Sequence, residues 1–99
     1  MPDLTSQQRK FLRALGHALQ PVVLVGKRAV SDELVRSAAD ALEAQELVKV
    51  KFNEFKETKA ELLAEIARRT NADVVGIIGN VGLLYKWQPE AEKRQIELP

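Results

Sequence analysis

The stretch Val22–Asn53, VVLVGKRAVSDELVRSAADALEAQELVKVKFN, decides the fold. Its opening VVLV (22–25) is a short, unbroken, β-branched run between Pro21 and Gly26, the pattern of a central strand covered on both sides. Ser31 is placed to cap a helix, and Asp32 and Glu33 stand in the first turn, where the positive end of the helix dipole favours acids. Leu34, Ala38, Ala41 and Leu42 then recur at helical spacing as a buried stripe. The closing LVKVKFN (47–53) alternates: Val48, Val50 and Phe52 share one face, and Leu47, Lys49, Lys51 and Asn53 the other. A strand, a helix and a strand in succession predict an α/β domain.

On the N-terminal side, Thr5 and Gln8 form a capping-box pattern, and Phe11, Leu12, Leu15, Ala18 and Leu19 keep helical period until Pro21, predicting a helix over 6–19. At about 100° per residue, Arg9, Lys10, Arg13 and His17 fall within one arc opposite the apolar stripe. On the C-terminal side, Thr58 and Glu61 form a second capping-box pattern. Leu63, Ala64 and Ala67, with Leu62 and Ile66 beside them, continue to Asn71, which suits a left-handed helix end, so a helix is predicted over 57–70. Two strands follow, 74–78 and about 81–87, joined through Gly79 and Asn80 as a two-residue hairpin turn. Residues 88–99, with Pro89 and many charges, predict a loosely attached tail. The order αβαβαββ predicts one domain over 1–99, a two-layer α/β fold with a mostly four-stranded mixed sheet.

Composition narrows the function. At 99 residues and 45% hydrophobic content the chain supports one modest core. It has no cysteine, which excludes disulfides and thiolate metal sites and points to a cytoplasmic protein. His17 is the only histidine, and no pair of carboxylates falls on an apolar or concave position, so no catalytic site, metal, cofactor or small-molecule substrate is expected. No apolar run approaches the roughly 20 residues that cross a bilayer, and neither a leader nor a membrane partner is expected.

The net charge is +1, but it is segregated: residues 1–30 carry +4 and residues 31–46 carry −4. A local basic patch of this kind, and not the sum, is what attracts a polyanion. Two glycine loops compete as phosphate contacts. GNVG (79–82) matches the GxxG that clamps nucleotides in KH domains, yet it lies where two strands must reverse and brings no charge. GKRA (Gly26, Lys27, Arg28, Ala29) joins a strand end to a helix N-terminus, where free N–H groups and two cations converge, and it is the preferred candidate. Asp32 and Glu33 oppose an anion at that helix end, which leaves most of the attraction to the cations. Lys49 and Lys51 extend the patch along a strand, although such lysines also serve solubility and discourage edge pairing. Tyr85 and Trp87 share a face, and packing is the commoner fate for them than base stacking.

Taken in order, LTSQQRKFLRALGHALQPVVLVGKRAVSDELV, ALEAQELVKVKF and IIGNVGLLYK followed by RQIELP resemble the YhbY family of stand-alone bacterial CRM-domain proteins over residues 4–99. The resemblance implies a fold similar to the C-terminal domain of bacterial translation initiation factor three. It also implies RNA binding linked to precursors of the large ribosomal subunit, with 23S rRNA as partner of a cytoplasmic monomer. The family's GxxG loop after the first strand maps onto Gly26, Lys27, Arg28 and Ala29. Ala29 departs from that pattern, and a positive φ there costs about 1 kcal/mol or more. The expected RNA contacts are this loop, then Arg9, Lys10, Arg13 and His17 on the first helix, then Lys49 and Lys51. Two other readings stay open: an Alba-like DNA-binding protein, and a protein-docking adaptor that uses Asp32, Asp40, Glu43 and Glu46 of the second helix.

Overall fold

The computed structural model describes residues 3–99, and its elements follow the expected order: α1 (Ser6–Gly16), β1 (Pro21–Val25), α2 (Asp32–Gln45), β2 (Leu47–Phe52), α3 (Lys59–Thr70), β3 (Asp73–Ile78) and β4 (Val81–Tyr85). Because α2 carries the chain from β1 back along the sheet, β1 and β2 pair in parallel, whereas the tight turn at Gly79 and Asn80 makes β3 and β4 antiparallel. The sheet is mixed, with strand order β1-β2-β4-β3.

Alternation along the strands sorts the core onto two faces. Val23, Val25, Val48, Val50, Phe52 and Leu84 meet Ala38 and Leu42 of α2 and Leu63, Ile66 and Ala67 of α3. On the opposite face Leu47, Val75, Leu83 and Tyr85 meet Leu4 and Leu12, with Ile96 and Leu98 packed beside them. Helices therefore lie on both faces, and the expected two layers gain a third, partial one, made of α1 and the tail. Gly16 permits the close approach of α1, since a Cβ there would meet a Leu83 methyl at 2.8 Å.

Four local expectations are corrected. VVLV is an edge strand, not a central one, and Val22 and Leu24 remain 44% and 56% exposed because α1 does not reach over them. Helix α1 ends at Gly16, after which Ala18 and Leu19 donate to carbonyls three residues back, a tightening last turn. Thr58 does not cap α3; its hydroxyl donates to the Phe55 carbonyl (3.3 Å), and a short 3₁₀ turn over Lys56–Thr58 precedes the helix. The Thr5–Gln8 box, by contrast, forms in full.

The fourth correction concerns the tail. The backbone N–H groups of Gln95 and Ile96 donate to the two carboxylate oxygens of Glu46 (2.7 and 3.2 Å), and Glu46 itself is buried at the end of α2. The Gln95 side chain also donates to the Ala44 carbonyl at 2.9 Å, while Arg94 stacks over Trp87 with its guanidinium 4.7 Å from the ring centre. The alternation of Ile96 and Leu98 with polar residues places both against the core, which is why a charged segment is held.

Candidate nucleic-acid interface

The β1–α2 loop leaves the sheet at Gly26. The Ala29 N–H donates to the Gly26 carbonyl at 3.0 Å, and Ala29 takes the left-handed conformation, φ 53°. The departure from a glycine pattern thus leaves the turn closed in a shape that glycine would adopt freely, with the alanine carrying the strain. Lys27 and Arg28 occupy the exposed tip, beside a shallow depression of about 380 Å³. Arg28 approaches Glu33 only to 3.9 Å with both side chains 82% exposed, a pair worth little in water. Asp32 is engaged elsewhere, by Arg69 at 2.6 Å, which weakens its opposition to an anion at this helix end.

The loop is anchored to its neighbours. The N–H groups of Asn53 and Glu54 donate to the Val25 carbonyl, and the Phe52 N–H donates to the Asn80 carbonyl at 2.8 Å. The GKRA loop, the segment after β2 and the β3–β4 turn therefore share one end of the sheet.

Lys49 and Lys51 lie on the sheet face that carries α1. Lys49 stands opposite Leu83 and Pro21, and Lys51, one step nearer the loop, opposite Val81 and Leu24. Arg13 and His17 extend from α1 toward the same end, and with Lys49 they border a groove of about 270 Å³ floored by Ile78, Val81 and Leu83. The structure thus gathers Arg13, His17 and Lys49 around one concavity, with Lys51 one step further along β2 toward the end of the sheet that carries Lys27 and Arg28. Arg9 and Lys10 sit nearer the start of α1 and do not line the groove. Arg9 is near Asp73, whose carboxyl is raised above its ordinary range mainly by burial and then by Asp3, with Arg9 pulling it back. Among the described residues Arg9, Lys10, Arg13, Lys27, Lys49 and Lys51 form no ion pair.

GNVG has a structural use. Gly79 supplies the positive φ (60°) of the hairpin, the Lys59 ammonium donates to the Gly79 carbonyl and the Asn80 side chain, and Gly82 faces Leu63 inside the sheet–helix contact. Tyr85 is fully buried and Trp87 is half-buried under Arg94, so both pack and neither offers an open ring. Sequence reasoning did not single out Ile78 and Val81 at the groove, nor the exposed Phe55. The signal existed for the first pair: residues either side of a two-residue turn face the same way, and Ile78 pairs with Val81. What could not be read was that an 11-residue helix would leave them uncovered.

Among the described residues no group of three or more His, Cys, Asp or Glu side chains is arranged to hold a metal, and no helix is long and apolar enough to cross a membrane. The family model of the CRS1 / YhbY (CRM) domain matches residues 4–86. The chain is 39% identical to the Probable RNA-binding protein YqeI of Bacillus subtilis (strain 168), covering 97% of this chain and 99% of that one. It is 35% identical to an RNA-binding protein of Haemophilus influenzae, covering 100% and 98%. The solution structure of the hypothetical protein SAV1595 from Staphylococcus aureus superposes with a TM-score of 0.81 at 33% identity, covering 97% and 99%.

Proposed function

We propose, since the chain belongs to the CRS1 / YhbY (CRM) domain family, that it is a non-catalytic RNA-binding protein that assists assembly of the large ribosomal subunit, meeting 23S rRNA as a cytoplasmic monomer. The single observation that carries the reading is the placement of the cations Arg13 and Lys49 at one groove, beside His17, with Lys51 one step nearer the GKRA loop that carries the exposed Lys27 and Arg28. Arg9 and Lys10 add attraction at longer range. Contacts of this kind are led by phosphate and set position more than sequence.

The adaptor reading has less support. Glu46 is buried and bound to the tail, and Asp32 is paired with Arg69, so two of its four acids are already engaged. A DNA-binding role is separated by competition between duplex DNA and structured RNA at equal salt.

The test is RNA affinity after reversing both loop cations. Lys27→Glu with Arg28→Glu weakens binding at least about tenfold with the domain still folded, because both side chains are exposed. Unchanged affinity rejects the loop as a contact. For the assembly role, crosslinking in growing cells followed by sequencing returns 23S rRNA fragments, and recovery of other RNAs alone rejects it.

A further inference from the structure

The groove beside α1 has features that phosphate binding leaves unexplained. Ile78 is 64% exposed, the highest value among the exposed large hydrophobic residues, and it stands next to Val81 on the groove floor. Aliphatic side chains do nothing for a phosphate, and keeping them in water at the mouth of a basic groove costs free energy. Arg13 and Lys49 bring positive charge to the edge of this floor, and His17 lines the groove with them.

We propose that the groove takes one unstacked nucleobase of a single-stranded RNA segment, its face against Ile78 and Val81, while Arg13 and Lys49 hold the adjoining phosphates. This rests on the RNA-binding reading and specifies what the α1 side of the interface adds to the loop. A base has an apolar face and a charged backbone within a few ångströms of each other, and the groove offers the complementary pair in the same order. An apolar peptide gains nothing from the two cations at the rim, whereas a duplex keeps its bases stacked and cannot present one to the floor. Since the floor carries no hydrogen-bonding side chain, the site reads the presence of a base more than its identity.

The experiment compares a short single-stranded RNA with a fully abasic ribose-phosphate oligomer of the same length and charge, using the whole chain. Wild type binds the base-containing strand more tightly. Ile78→Ser lowers that affinity by about fivefold, leaves the abasic oligomer and the salt dependence unchanged, and Ile78→Leu restores it. Ile78 is exposed, so the variants fold, and circular dichroism checks this. The proposal is overturned if Ile78→Ser binds both oligomers as wild type does, or loses both equally. Equal wild-type affinity for the two strands also overturns it while leaving the RNA reading intact, whereas binding to neither removes both.

Discussion

At the scale of single residues, the informative positions are those where a side chain stands in an unfavourable place. Ala29 is one: φ 53° costs an alanine roughly 1–2 kcal/mol, while glycine gives back part of that through the entropy of its unfolded chain. Ala29→Gly should therefore stabilise the protein by about 0.5 kcal/mol in urea unfolding, and leave RNA affinity within about twofold because the turn is already closed. Tyr85 is another, since its hydroxyl is buried with no hydrogen-bond partner among the described residues. Burial first, then the charge of Glu46, pushes its pKa up to about 12 from 10.0. A raised folded-state value gives stability that is complete below pH 10 and is lost as pH climbs toward 12, on the order of 3 kcal/mol. Tyr85→Phe should remove that part of the alkaline fall and gain about 1 kcal/mol at neutral pH, as measured by thermal unfolding across pH. Neither feature was fully legible beforehand. The family pattern flagged position 29, but which conformation alanine would take depends on the neighbouring strands that close the loop.

At the scale of elements, legibility followed how local the cause was. The Thr5–Gln8 box, the Ser31 cap and the Asn71 helix end are set by a few adjacent residues, and all three formed as the sequence suggested. Thr58 did not cap because Phe55, in a left-handed conformation, turned the chain into a 3₁₀ segment whose carbonyl took the hydroxyl instead. The tail was misjudged for a longer-range reason: its partner, Glu46, lies about fifty residues earlier and its carboxylate is satisfied only when the sheet is built. Glu46→Ala should cost about 2–3 kcal/mol, because two charge-assisted bonds disappear and two N–H groups are left without an acceptor. Denaturant unfolding measures the cost, and faster exchange of the Gln95 and Ile96 amides locates it. Gly82 marks a close sheet–helix contact: a Cβ would stand 2.5 Å from a methyl of Leu63, which is itself fully buried. Gly82→Ala should then destabilise by about 2 kcal/mol through overpacking, read from the urea midpoint, whereas Gly26→Ala meets nothing within 4 Å.

At the scale of the molecule, the sequence indicated which cations to watch but not their arrangement. Helical spacing put Arg9, Lys10, Arg13 and His17 on one arc, and only the crossing of α1 over the sheet separated the pair at the groove from the pair near the start of the helix. The register of β2 did the rest, setting Lys49 beside Arg13 and His17 and placing Lys51 one step nearer the loop. A surface built this way releases counterions in proportion to the phosphates it meets, and about four to six neutralised phosphates on single-stranded RNA give a log–log salt slope near −3 to −4. Lys49→Ala with Lys51→Ala should flatten that slope by about 1.4, about 0.7 for each phosphate that is no longer neutralised. Arg36 provides the control: it carries the same charge and is exposed, but it belongs to α2, which covers the other face of the sheet. If Arg36→Ala flattened the slope as much as the lysine pair does, attraction would come from charge spread over the whole surface, and the α1 face would have no special part in binding.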